Sequence, residues 1–348
     1  MRVTIKDIAR ITNLSVATVS LVLNNKEGRV SEETRKRVLQ VADEMDYRPN
    51  QLARGLVTRH TNTVGLIIPD VTNAFFANFA KNIQVTCQEA GYNMFLCNTN
   101  NLPEKDIEYV NALLERQVDG ILLSLAATSD QSSAAECCDL MKKMGKPLVL
   151  IDRMVDDAEV LSVLVDHEMG GFLATQHLIQ LGHTRIGCIT GPMTVRSSKQ
   201  RLKGYQRALK ESRIEFDLSL IQEFRFEMLS DFNIVKKLLN EKVSAIFAFN
   251  DLIAYGILQQ AAQHGYSIPD DFSLVGFDDL PLSELMAVPL TTISQPIKAM
   301  SETAADTLIQ MISKSNPELK NDGNIFFAPK LVERKSTSPL KANSANSH

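Results

Sequence analysis

Leu14-Ser15-Val16-Ala17-Thr18-Val19-Ser20-Leu21-Val22 is the stretch on which the N-terminal reading turns. Ser15 is of the type that caps helices, and Val19 and Val22 fall on one face of the helix it would open. No acid stands in the first turn. The Ser, Thr and Ala side chains there are short enough for the helix to enter a DNA major groove about 12 Å wide. Ser15, Thr18 and Ser20 can donate to phosphates or base edges, and Val16 and Ala17 offer apolar contact to thymine methyls. Upstream, Thr4 followed three residues later by Asp7 is a capping-box pattern, opening a helix in which Ile5, Ile8 and Ala9 share a face. Asn13 tolerates the left-handed turn between the two helices. Downstream, Ser31 caps a third helix with Glu32 and Glu33 in its first turn, where the helix dipole favours acids. Val38, Val41, Ala42 and Met45 form its buried stripe, and Pro49 ends the unit. Three helices so spaced make a helix-turn-helix head over residues 1–49, although the pattern alone also describes an ordinary small helical domain.

Charge separates this head from the body of the chain. The chain of 348 residues has a formal net charge of -4, but residues 1–60 hold 11 Lys/Arg and 7 Asp/Glu, a net of +4. The rest holds 26 and 34, a net of -8. A basic head on an acidic body directs any nucleic-acid contact to the head. Residues 50–61 read as a hinge: Gly55 costs about 1 kcal/mol of helicity relative to alanine, and about two turns of helix are too short to persist alone.

From residue 63 strand-length apolar runs alternate with amphipathic stretches. Strands are expected at Val64–Ile68, Met94–Asn98, Gly120–Leu125, Leu148–Ile151, Val163–Val165, Arg185–Thr190, Ala245–Phe249 and Ser273–Phe277. Helices are expected at Phe75–Ala90, Asp106–Arg116, Gly170–Leu181, Lys199–Arg213 and Leu252–His264. Continuous apolar strands separated by helices mean parallel sheets covered on both faces. The fold class is therefore α/β, a helical head followed by two doubly wound lobes. Lobe 1 is expected over about 62–161 and 294–325 and lobe 2 over about 162–293, within a body of 62–335 and before a small, polar, disordered tail at 336–348.

No stretch approaches roughly 18 uninterrupted apolar residues and the N-terminus lacks a secretory apolar region, so no membrane span and a cytoplasmic address are expected. Cys87, Cys97, Cys137, Cys138 and Cys188 form no CxxC pair and read as buried reduced thiols. The six histidines show no metal-ligand spacing, and His177 and His183 read as structural groups around a helix end. GxSxG, Walker A, HExxH and strand-following GxGxxG motifs are absent, which argues against an enzyme, and no cofactor or metal is expected.

The head motif runs Ile5-Lys6-Asp7-Ile8-Ala9, Leu14 to Ser20, Arg29-Val30-Ser31-Glu32-Glu33-Thr34-Arg35, Tyr47-Arg48-Pro49-Asn50 and Leu52-Ala53-Arg54-Gly55-Leu56. In order and spacing it resembles the LacI/GalR family of transcriptional repressors over about 60 residues. The resemblance implies that the second helix reads DNA, with contacts from Thr4, Ser15, Val16, Ala17, Thr18, Ser20, Asn24, Arg29, Asn50, Ala53 and Leu56. It also implies that residues 50–58 fold as a hinge helix on the operator, with Leu56 as a wedge in the minor groove. Such a wedge unstacks a base step and kinks the duplex. Family members often carry a polar pair where this chain has Val16-Ala17. A head this small binds palindromic half-sites as a dimer, and the family implies a homodimer held by the body.

Within the body, polar residues cluster just beyond strand C-termini, where ligands bind in open α/β sheets. Asp, Asn, Arg and Gln satisfy sugar hydroxyls that both donate and accept, and flat rings suit C–H faces. The body resembles periplasmic sugar-binding proteins. That resemblance assigns the pocket to Asn73, Phe75, Phe76, Asp152, Arg153, Arg201, Phe224, Asn250, Phe277, Asp278 and Gln295, a set most similar to ribose operon repressors. Ala74 departs from it, standing where proline is usual. From the residues alone, Phe75 and Phe76 also read as core, and Asp152-Arg153 as an interlobe ion pair. The expected protein is a homodimeric repressor of a carbohydrate operon. Its palindromic operator affinity is expected to respond to a monosaccharide, with ribose favoured. The alternatives are a purine or nucleoside effector, a phosphoprotein co-regulator, and a sugar-binding protein that does not bind DNA.

Overall fold

The computed structural model describes residues 3–23, 30–47, 60–127, 131–155, 159–313 and 323–340. The chain divides into two compact units, residues 1–61 and 62–348.

In the first unit, α1 (Ile5–Thr12), α2 (Val16–Leu23) and α3 (Glu32–Glu44) enclose Ile8, Ala9, Val19, Val22, Val38 and Ala42. Thr4 donates from its backbone N–H and its hydroxyl to one Asp7 carboxylate oxygen, at 3.0 and 2.7 Å, which fixes the start of α1. Asn13 takes the left-handed turn at φ 52, as its short polar side chain permits. Ser15 Oγ accepts from Thr18 N–H at 3.0 Å and so opens α2. Arg37 Nη2 donates to the Thr12 carbonyl at 2.8 Å, tying α3 to the end of α1.

The second unit contains two six-stranded sheets. The first half runs β1 (Thr63–Ile68), α4 (Ala74–Glu89), β2 (Asn93–Asn98), α5 (Pro103–Glu115), β3 (Gly120–Leu123), α6 (Gln131–Lys143), β4 (Leu148–Ile151), β5 (Leu161–Val165) and α7 (His167–Gln180). The chain continues through β6 (Ile186–Thr190), α8 (Arg196–Glu211), β7 (Ile221–Glu223), α9 (Phe232–Asn240), β8 (Ala245–Ala248), α10 (Asp251–Gln263), β9 (Ser273–Asp278) and α11 (Leu282–Leu285). It ends with β10 (Thr291–Ser294), α12 (Ile297–Ser313), β11 (Asn324–Phe327) and β12 (Lys330–Val332). Sheet 1 has the order β11-β5-β4-β3-β1-β2 and is parallel throughout. Sheet 2 has the order β12-β10-β9-β8-β6-β7, with β12 alone antiparallel. Their central strands are buried end to end, as helices on both faces require.

Three features differ from the sequence expectation. The crossing from lobe 1 to lobe 2 falls after Val165 rather than 161, because β5 pairs with both β4 and β11. A third crossing follows β11 and returns the chain to sheet 2 as β12. Beyond it, Ser336–Leu340 are packed against lobe 2, so a disordered tail does not begin at 336. The Ser336 hydroxyl accepts from Thr291 N–H at 2.8 Å and donates to the Leu274 carbonyl at 2.6 Å. His177 and His183 meet Thr337 Oγ1 and the Ser338 carbonyl, each at 3.0 Å, as structural side chains. Residues 341–348 lie outside the described residues.

Cys87, Cys137, Cys138 and Cys188 are buried and Cys97 half-buried, all unpaired. Burial pushes their thiols up, Cys137 to about 12, which keeps them poor nucleophiles. No helix among the described residues is long and apolar enough to cross a membrane.

Candidate functional site: a DNA-reading helix and an interlobe charge cluster

In the head, Ser15, Val16 and Ala17 are exposed at the start of α2, and Thr18 and Ser20 are half-buried. Val16 keeps 42% of its surface accessible, although Val19 and Val22 of the same helix are in the core. An exposed apolar side chain at the start of a helix with no first-turn acid is free to meet a groove. Asn24, Arg29, Asn50, Ala53 and Leu56 lie outside the described residues, as does the hinge 50–58.

In the body, most of the expected pocket residues lie at or just after strand C-termini, with Phe277 and Asp278 at the end of β9 itself and Arg201 within α8, and they divide into two groups. The first is a connected charge cluster. Arg201, in α8, lays its guanidinium carbon 3.6 Å from the Phe277 ring centroid. It donates through Nη1 to the Phe249 carbonyl and through Nε to His167 Nδ1 at 3.3 Å. Its Nη2 stands 3.8 Å from Asp278. Gln295 donates to Asp278 at 2.7 Å. Asp152 lies 3.7 Å from Arg153 Nε, and Arg153 Nη1 donates to the Leu125 carbonyl.

Burial dominates the electrostatics here. It raises Asp278 to about 8 against the opposing pull of Arg201, and Asp152 is raised likewise against Arg153 and Arg201. Burial also lowers Arg201 and Arg153, the neighbouring carboxylates pulling the other way. Asp278 sits at φ 117 and Asp152 at φ 64, so both acids occupy backbone conformations that L side chains rarely adopt.

The second group caps helices and packs in the core. Asn73 caps α4, accepting from Phe75 N–H at 3.0 Å, and Asn250 caps α10, accepting from Ile253 N–H at 2.8 Å. Phe75 and Phe76 are 4% and 6% exposed and belong to the core, their rings edge-on at 5.1 Å. Phe224 packs half-buried against the same core. The ring near Arg201 on that side is Phe226, at 5.8 Å.

Three residues beside the site stand outside the expected set. Phe226 was hidden by an adjacent Phe two residues away. His167 looked like one scattered histidine, because its contact with Arg201 is made between helices. Asp251 is fully buried and accepts from Leu280 N–H, Ser283 Oγ and Thr292 Oγ1 at 2.8, 2.6 and 2.5 Å. Its position beside Asn250 at a strand end was the available signal. No group of three His, Cys, Asp or Glu among the described residues is arranged to hold a metal ion.

A helix-turn-helix head on a two-lobed body with a charged interlobe cluster defines a DNA-binding regulator with a ligand-responsive domain. Residues 4–50 match the bacterial regulatory proteins of the lacI family, and residues 175–337 match the periplasmic binding protein-like domain. The chain belongs to the lacI family and is a DNA-binding transcriptional regulator. It is 38% identical over 345 residues to the transcriptional regulator DegA of Bacillus subtilis, covering 98% of this chain and 99% of DegA. It is 36% identical over 340 residues to the repressor PurR of Aliivibrio salmonicida, covering 97% and 99%. Among solved structures, it is similar to the lac repressor dimer bound to operator and an anti-inducer, with a TM-score of 0.86 at 26% identity, covering 97% of this chain and all of that one. A LacI family regulator from Enterococcus faecium with bound ribose gives a TM-score of 0.71 at 30% identity, covering 80% of this chain and all of that one.

Proposed function

We propose that this protein is a homodimeric cytoplasmic repressor of a carbohydrate operon, and that its operator affinity is set by a small polyhydroxylated effector, with ribose favoured. One observation carries the reading: the Arg201–Asp278–Gln295 cluster lies with Asp152 and Arg153 at the strand ends between the lobes. Carboxyl groups and guanidiniums side by side satisfy both the donor and the acceptor of a hydroxyl. The related Enterococcus regulator that binds ribose supports the same class. Asn73, Phe75, Phe76, Phe224, Asn250 and Phe277 complete the pocket walls on this reading.

In the head, Thr4, Ser15, Val16, Ala17, Thr18, Ser20, Asn24 and Arg29 contact the operator, and Asn50, Ala53 and Leu56 act from the hinge. A second copy covers the edge of sheet 1. There β2 exposes Phe95 and Leu96 at 44% each, beside Val85 of α4 at 48%. Effector binding shifts the lobes between two arrangements and thereby the pairing of the hinges, by its differential affinity for the two states.

A thermal-shift screen with ribose, other pentoses, hexoses and purines tests the reading. Stabilisation by a sugar supports it, and a response to none of the sugars overturns it. A purine is the second reading, favoured by the 36% identity to PurR.

A further inference from the structure

A small cavity lies where the loop after β4 meets the first turns of α7 and α8; Met154, Leu164, Val165 and Phe326 give it apolar walls, and its polar groups come from Asp152, Arg153, His167, Arg196, Ser197 and Gln200. His167 is 3% exposed and accepts from Arg201 Nε–H at Nδ1, which puts its own proton on Nε2. Burial, with Arg201 and Arg153 nearby, holds the ring neutral. The His167 Nε2–H has no acceptor among the described residues, and the Arg153 Nε–H has none nearer than its ion-pair partner Asp152, at 3.7 Å.

A helix end adds to this. Helix α8 opens without a side-chain cap at Val195 and without an acid in its first turn. Its leading amides and dipole therefore favour an anion. Helix α7 differs, because Asp166 already accepts from Met169 N–H at 2.9 Å. Among the described residues Asp152 is the one acid lining the cavity, with the guanidiniums of Arg153 and Arg196 beside it.

We propose that this cavity is an anion subsite adjoining the sugar cleft, and that it takes a carboxylate or phosphate carried by the effector. The proposal rests on the sugar reading and deepens it: the natural effector is an acidic or phosphorylated sugar. The His167 Nε2–H, the Arg153 Nε–H and the α8 terminus donate to its charged oxygens. Arg201 stays fixed by Phe277 and by His167 Nδ1.

Isothermal titration of the full chain with ribose, ribonate, ribose 5-phosphate and inorganic phosphate tests this. One charged sugar is expected to bind roughly ten- to a hundred-fold more tightly than ribose, as hydrogen bonds to a charged group do over neutral ones. Whichever it is, ribonate or ribose 5-phosphate, assigns the anion. In His167→Phe that preference shrinks towards parity. In His167→Gln, whose amide can donate in place of Nε2, most of it is kept. Arg196→Gln lowers the preference from the cavity rim, without touching the core. Thermal unfolding confirms that each variant is folded. If ribose binds and neither charged sugar binds more tightly, the subsite is overturned while the sugar reading stands. If purines alone bind, both fall.

Discussion

Gln295 Nε2 donates to the Asp278 carboxylate at 2.7 Å, so the residue following β10 holds the acid that ends β9. Asp278 is nonetheless raised to about 8 by burial. Its ordinary value is 3.8, so between the two the folded protein holds a proton that the unfolded chain has lost. Stability linked to this group therefore falls as pH rises from about 4 to about 8. Asp278→Asn removes the linkage. Its melting temperature relative to wild type should rise between pH 5 and pH 8.5, read by differential scanning fluorimetry. A difference that is flat with pH would show that the carboxyl titrates near its ordinary value.

Arg201→Lys should weaken effector binding at least roughly ten-fold, because a lysine ammonium cannot lie flat on Phe277 and fork between the Phe249 carbonyl, His167 and Asp278. Calorimetric titration measures the loss, and circular dichroism checks the fold. Unchanged affinity would remove Arg201 from the site.

The clearest signals in the sequence were those that depend on near neighbours. The Thr4–Asp7 start, the left-handed Asn13 and the Ser15 and Ser31 caps stand where the spacing put them. Strands such as Val64–Ile68 and Ser273–Phe277 were legible as apolar runs, because parallel strands are buried on both faces. The edge strands β7, β11 and β12 were not, being short and only partly buried. Helix α12 was missed because its partners, α4 and β3, lie about 200 residues back in sequence. At the site, residue types at strand ends gave the charge cluster. They could not show that Asn73 and Asn250 spend their side-chain oxygens capping helices, since capping and ligand binding ask for the same residue types.

Ser336→Ala should cost about 2 kcal/mol. It leaves the Thr291 N–H and the Leu274 carbonyl in a dry interior, each without its side-chain partner. Urea unfolding measures this, and a cost below about 0.5 kcal/mol would mean that water replaces the hydroxyl.

Gly171→Ala should destabilise the body by about 3 kcal/mol and weaken the effector site as well. A Cβ at Gly171 would overlap the Arg201 carbonyl oxygen, and backbone cannot swing aside as a side-chain tip can. Across the same crossing, Gly204 faces the Glu168 carbonyl of α7 just as closely. Urea unfolding and effector titration of one sample should both respond, because α7 carries His167 and α8 carries Arg201.

On the proposed hinge mechanism, Leu56→Ala should reduce operator affinity at least roughly ten-fold, because a methyl group cannot unstack a base step as a leucine wedge does. The salt dependence should hardly change, since no phosphate contact is lost. Fluorescence anisotropy on a palindromic operator across a salt series separates the two quantities. A steep loss of salt dependence would mean that the substitution displaced the basic head. Unaltered affinity would mean that the hinge does not work through Leu56, and would leave the start of α2, where Val16 and Ala17 are exposed, as the candidate reader of sequence.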